Sequence, residues 1–255
     1  MKDKALPALF DDPAHPLAAP LAAWAAASPR FAAFVSEHRD KIRKKARGAR
    51  EPEAMGDLLL ELAVARDLHR ERYGTLGYER HLPDRTRVPD FALTLPSGAI
   101  VIIEVTRLRP LVTAPGGEQD AAAPRRASEP SPIDLRLAAL VCGKLGQLVP
   151  NLPNVIIAGV PADLLPALDV AEALRALLAR AERRELTPRE QHYIRKPSDF
   201  FRGYRALSGL LVRPWPPPAP AGSATLWINS QAPKVLPTRL RTSLADVPAE
   251  EPAGP

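Results

Sequence analysis

Phe91, Leu93 and Leu95 alternate with Asp90, Ala92 and Thr94, the period of a strand with one buried face. Pro96-Ser97-Gly98 follows as turn chemistry. Ala99 to Val105 is then an apolar, β-branched run, the pattern of a strand covered on both faces. Together they predict a β-hairpin over 88–108. A turn centred near residues 97 and 98 sets Asp90 opposite about residue 105. Asp90, Glu104 and Thr106 then converge at one end of the hairpin.

The same reading predicts the elements around it. Glu53 to Tyr73 is a helix, with Leu58, Leu62, Ala65 and His69 on one face and Glu61 on that face with them. Gly77 to Leu82 is a short strand, joined to the hairpin through 82–88. Ile133 to Val149 is a helix whose apolar stripe of Leu137, Leu140, Val141 and Leu148 includes Lys144. Asn154 to Val160 is a buried strand reached by a strand-helix-strand crossover. Leu164 to Leu186 is a further helix. Phe200, Phe201 and Tyr204 precede a strand over Ala206–Val212, and Thr225–Asn229 and Leu236–Leu244 predict a last strand and helix. An antiparallel pair of late strands would extend the sheet.

The punctuation between these elements is proline. There are 30 prolines in 255 residues, and they cluster. Residues 1–29 are rich in Ala and Pro, with a short helix at Leu17–Ala27 in an otherwise loose arm. Pro110 to Pro132 reads as a mobile loop, Pro214 to Gly222 as a proline-rich excursion, and 245–255 as a disordered tail. The expected organisation is an arm and basic helix over 1–50, a domain over 51–244 with its core at 53–161 and an extension at 162–244, and the tail.

Charge changes the picture in one place. Eight basic residues over 30–50, among them Lys41, Arg43, Lys44 and Lys45, stand against Glu37 and Asp40 and leave +6. The whole chain also carries +6, so the rest sums to zero. Such a run is either a solvated helix face or a contact for nucleic-acid phosphates. Cys142 is the single cysteine, which excludes an intrachain disulfide framework and points to a reducing, cytoplasmic setting. No charged-then-apolar stretch opens the chain and no apolar run is long enough to span a membrane.

The chemistry lies in the carboxylates. Asp90 and Glu104 brought together repel each other unless a cation or a shared proton intervenes. Mg²⁺ takes oxygen ligands, commonly one or two carboxylates plus a substrate phosphate. Glu61 on a buried helix stripe needs a partner of its own, either an arginine or a share in the same site. The aromatics Phe200, Phe201, Trp215 and Trp227 are either core or surfaces on which bases stack.

Pro89-Asp90 followed by Glu104-Val105-Thr106 resembles the motif of the PD-(D/E)XK restriction-endonuclease-like nuclease superfamily. That motif has an Asp opening one strand, and a Glu, any residue and a Lys closing the next. Thr106 stands where the Lys belongs. The order helix, strand, strand, strand, helix, strand over 53–161 resembles the αβββαβ core of that fold. The resemblance implies an α/β fold with a mixed central sheet flanked by helices. It implies Mg²⁺ or Mn²⁺ held by Asp90 and Glu104, with Glu61 at the edge of the metal site. The best substitute for the missing Lys is Lys144.

Other chemistries find no support. The histidines His15, His38, His69, His81 and His192 lack metalloprotease spacing, Gly143-Lys144 lacks the remainder of a phosphate-binding loop, and there is no GxSxG elbow. Two functions therefore stand: a metal-dependent phosphodiesterase acting on DNA or RNA, or a catalytically inactive protein of the same fold that serves as a nucleic-acid-binding or assembly module. A homodimer or a protein partner completing the site stays open.

Overall fold

The hairpin supplies the second and third strands of a six-stranded sheet. The computed structural model describes residues 9, 10, 12, 14–70, 73–81, 88–109, 129–191, 194, 196–216 and 224–245. Helices α1 (Ala18–Ala27), α2 (Pro29–Glu37), α3 (Arg39–Gly48) and α4 (Pro52–Arg70) lead into β1 (Thr75–Tyr78), β2 (Phe91–Thr94) and β3 (Ile100–Arg107). Then come α5 (Pro132–Leu145), β4 (Asn154–Val160), α6 (Val170–Glu182), α7 (Pro188–Gln191), α8 (Pro197–Ala206), β5 (Leu207–Pro214), β6 (Thr225–Ile228) and α9 (Thr238–Ala245).

Spatial order in the sheet follows sequence order, β1 to β6. The pairs β1–β2, β2–β3 and β5–β6 are antiparallel, and β3–β4 and β4–β5 are parallel. Parallel neighbours need a crossover over the sheet face, and α5 supplies the first, with α6 to α8 supplying the second. The chain is thus α/β, with a mixed sheet between helical layers.

Two apolar cores fill the two sides of the sheet. Val101, Ile103 and Val105 of β3 join Val155 and Ile157 of β4 in a core shared with α1, α2, α4 and α9. Ile156, Ala158 and Val160 of β4 belong to the other, with α5, α6 and α8. A small third cluster joins Ala92 and Ile102 with Val149 at the end of the α5 segment. It covers the face of the hairpin that period-2 alternation leaves to solvent, so Phe91, Ala92 and Leu93 are all buried.

The hairpin turn carries Gly98 at φ 81°, a backbone region open to glycine at little cost. Leu95 N donates to Ala99 O, which centres the turn on Ser97. Phe91 therefore pairs with Ile103, which puts Asp90 level with Glu104 rather than with residue 105.

Other boundaries also move. β1 begins at Thr75 and ends at Tyr78, because Glu79 has φ 42°, which no strand continues through. The helix expected over 164–186 is broken. Pro166 lies in a 3₁₀ turn, and Asp169 then caps α6 through the Glu172 N–H at 2.9 Å. The basic run is two helices parted at His38. The arm is less loose than its composition suggests: Leu17 and Leu21 are fully buried in the first core. Phe200 and Trp215 are buried, and Phe201 and Trp227 pack half-buried on the second core, so these aromatics serve packing. The expected connection at 82–87, the loop at 110–128, the excursion at 217–223 and the tail at 246–255 lie outside the described residues.

Buried Asn154 fastens β4 to its surroundings. Its side chain accepts from Val149 N at 2.8 Å and donates to the carbonyls of Val149, Leu152 and Ala206. Asn154→Ala leaves these groups unpaired in a dry site, a cost of about 1–3 kcal/mol for each group that finds no water. Denaturant unfolding should show a loss of at least about 2 kcal/mol with an unchanged m-value.

Candidate functional site

Strand parity sets the geometry. Side chains two apart on a strand share a face, so Glu104 follows Ile102, and Asp90, just before β2, follows Ala92. Ile102 and Ala92 pack beneath the α5 segment, and Asp90 and Glu104 stand at the end of that row. Asp90 Oδ2 accepts from Val105 N at 2.7 Å. The Asp90 carboxylate is thereby fixed to the backbone beside Glu104.

Lys144 comes from the last turn of α5. Its ammonium donates to Glu104 Oε2 at 3.1 Å and to Gln147 Oε1 at 3.3 Å, and stands 3.9 Å from Asp90 Oδ2. Thr106 is one step along the same face of β3 from Glu104, half-buried and paired across the ladder with Ala158. The lysine at the hairpin's carboxylates thus arrives from a neighbouring helix, 40 residues downstream of Glu104.

Glu104 is 2% exposed. Burial, and then the negative charge of Asp90, push its pKa up to about 7 despite the opposing pull of Lys144. The site is therefore short of positive charge.

Glu61 lies on the far side of Asp90, in the middle of α4. Its carboxylate is buried and takes two hydrogen bonds from Lys45 Nζ, at 2.6 and 2.8 Å. Burial and then Asp90 raise the Glu61 pKa, and Lys45 offsets part of the effect. Lys45 also meets Glu79 Oε1 at 2.7 Å. Burial works against the Lys45 charge, but Glu61 and Glu79 outweigh it and lift its pKa above the ordinary value.

Lys41, one helical turn earlier, donates to the carbonyls of Tyr78 and Glu79 and lies 3.7 Å from the Glu79 carboxylate. Both ammoniums stand 5.3 Å from the centre of the Tyr78 ring, within cation–π range. The Tyr78 hydroxyl is buried, and desolvation, then Glu61, drive its pKa upward. Glu79 holds this position in a left-handed backbone conformation, φ 42°, which is costly for a residue with a side chain.

Two of the four basic residues singled out in the sequence, Lys41 and Lys45, therefore turn inward. They complete a belt in which Lys41, Lys45 and Lys144 face Glu61, Glu79, Asp90 and Glu104. Arg43 and Lys44 instead line an open cleft with Asp40 and Arg47. Glu79 was not legible as a site residue, because nothing in the sequence marks the left-handed turn that aims it at Lys45. Among the described residues no group of three or more His, Cys, Asp or Glu side chains is arranged to hold a metal ion; Asp90 and Glu104 are a pair, and Glu61 is engaged by Lys45. No helix among the described residues is long and apolar enough to cross a membrane.

Two stability measurements probe this belt. Lys45→Met leaves Glu61 buried beside Asp90 with its main cation removed, which should cost about 2–3 kcal/mol in denaturant unfolding, at or just below the range for fully buried pairs. The double variant Lys45→Met/Glu61→Leu should recover most of that loss. The second concerns pH. The folded state keeps the Glu104 proton up to about pH 7, whereas the ordinary value is 4.5. Between those values the folded chain binds more protons than the unfolded one, so this group's contribution to stability falls as pH rises. Without divalent cations, Glu104→Gln should gain stability relative to wild type on going from pH 4 to pH 8; a constant difference would show that Glu104 titrates as an exposed carboxyl. No family model and no curated protein matches this chain, so the functional reading rests on the geometry just given.

Proposed function

We propose that this chain is a metal-dependent phosphodiesterase acting on nucleic acid, a divergent relative of the PD-(D/E)XK nucleases with Lys144 in place of the motif lysine. The observation that carries the reading is the meeting of Asp90, Glu104 and Lys144 at one end of the hairpin, with Lys144 within 3.1 Å of one carboxylate and 3.9 Å of the other. Strand order and direction, with β2 antiparallel to its neighbours and β3, β4 and β5 parallel, support the restriction-endonuclease-like core.

The donors fit a hard divalent cation. Asp90 Oδ2 is committed to Val105 N and Glu104 Oε2 to Lys144, while Asp90 Oδ1 and Glu104 Oε1 have no hydrogen bond among the described residues. Carboxylate oxygens are what Mg²⁺ and Mn²⁺ prefer. The raised pKa of Glu104 reflects the same shortage of positive charge that a cation would relieve. Asp90 and Glu104 would hold the ion. Glu61, clamped by Lys45, is a peripheral member that shapes the field rather than a ligand in this arrangement.

When bound, the metal supplies an activated water and charge stabilisation at phosphorus. The chain's own residues do the rest. The Val105 N–H fixes the Asp90 carboxylate. Gln147 and Glu104 hold the Lys144 ammonium at the mouth of the pair, where it offsets charge on the scissile phosphate. Burial of Glu104 keeps bulk water from screening these charges.

Mg²⁺ or Mn²⁺ should raise the melting temperature of the wild type, since a ligand bound only by the folded state stabilises it, by about 2.7 kcal/mol at a hundredfold excess over its dissociation constant. Asp90→Ala and Glu104→Ala should abolish both that rise and cleavage of labelled DNA or RNA. Lys144→Met keeps the apolar stem. It should retain the metal-induced rise and lose about 10² or more in cleavage rate. A wild type that cleaves no DNA or RNA with either ion would overturn catalysis and leave the binding module.

A further inference from the structure

We infer that the outer face of α3, formed by Arg43, Lys44 and Arg47, is the surface on which the phosphate backbone of a nucleic acid lies as it enters the Asp90–Glu104–Lys144 site. The inference rests on the nucleic-acid reading above and adds to it the place and direction of approach.

Helix geometry gives α3 two charged faces. At about 100° per residue, Lys41 and Lys45 share one side, which is bound to Glu61, Glu79 and the end of β1. Ile42 and Ala46 share another, which is buried. Lys44 adjoins the Lys41–Lys45 side, and Asp40, Arg47 and Arg43 continue around the helix away from the core. These four residues line an open cleft of about 380 Å³. The basic side chains Lys44, Arg47 and Arg43 therefore run outward from the side of α3 that bears the carboxylate belt, with Asp40 as the one acidic group among these four.

Before a divalent cation is bound, the belt by itself repels a polyanion. A phosphodiester that approaches Glu61, Glu79, Asp90 and Glu104 meets four carboxylates against three ammoniums. An adjoining patch of positive charge offsets that repulsion and raises the local concentration of a polyanion. On this face Arg43, Lys44 and Arg47 outnumber Asp40, and all four belong to a stretch, 30–50, whose net charge equals that of the whole protein.

Spacing suits a strand of phosphates. Arg43 and Arg47 are one turn apart, about 6 Å along the helix. Two cations one turn apart can each meet a phosphate of the same strand. The inner lysines hold the surface in place: α3 is clamped to α4 through Lys45–Glu61 and to the end of β1 through Lys41. A backbone seated on the cleft is therefore held at a fixed position relative to the carboxylates.

The test uses the full chain carrying Asp90→Ala, so that binding is read without cleavage, and a fluorescein-labelled oligonucleotide followed by anisotropy over a range of salt. Adding Arg43→Glu, Lys44→Glu and Arg47→Glu should weaken binding more than tenfold. It should also reduce the slope of log affinity against log salt by about 2.7, at about 0.9 per phosphate contact. Reversing Arg175, Arg183 and Arg202, which are exposed elsewhere on the surface, changes net charge equally and should cost less than threefold. Should the glutamate triple fail to fold, the corresponding glutamine triple should show the same reduction in slope. Binding by either triple within threefold of its Asp90→Ala parent overturns the surface assignment, while cleavage by the wild type would still stand and uphold the functional reading. Equal binding of the parent to polyglutamate, lost in the triple, would overturn the nucleic-acid assignment in favour of a general acidic partner. If the parent binds no oligonucleotide and the wild type cleaves none, the functional reading fails and this inference fails with it.

Discussion

A buried carboxylate at the end of a central strand must be compensated, and much of this structure follows from compensating Glu104. Removing a charge from water costs several kcal/mol unless partners replace the solvent. Glu104 sits at the end of an apolar row, 2% exposed and next to a second carboxylate. Lys144 can reach it only because α5 crosses the sheet between β3 and β4, and the capping box of Ser131 and Asp134 fixes where α5 starts. Asp134 also accepts from Asp169 N, which ties that start to the cap of α6. The crossover, its caps and the site are one mechanical unit.

The same constraint operates on the opposite side of Asp90. Glu61 is carried into the interior by an α4 that is apolar on nearly every side, with Leu60, Leu62, Ala63 and Val64 around it. Its cation comes from α3, and this gives the N-terminal helices a reason to be part of the domain rather than an appendage. Lys45 and Lys41 tie α3 to the end of β1, while Phe31, Phe34 and Val35 of α2 join the core shared with α4. The strained turn at Glu79 completes the arrangement. Its left-handed backbone is retained because two lysines and the end of β1 converge on it.

The sequence by itself determined the periodic elements. Alternation in 91–95, the turn at 96–98 and the β-branched run at 99–105 specify the hairpin, because side-chain period and turn chemistry are local properties. The buried strand at 154–160 and the apolar stripe that carries Lys144 are legible for the same reason. So are Asp90, Glu104, Glu61 and Lys144 as residues to watch, since a charge within an apolar pattern stands out. Tertiary structure decided what local pattern cannot encode. The single-residue shift that levels Asp90 with Glu104 came from the turn's centre at Ser97, and the early end of β1 from the backbone at Glu79. The division of the basic run into an inner pair, Lys41 and Lys45, and an outer face, Arg43, Lys44 and Arg47, depended on which side of α3 meets Glu61. The sequence records how many charges a helix carries, but which of them face a buried carboxylate is fixed only when long-range packing sets the rotation of that helix against the sheet.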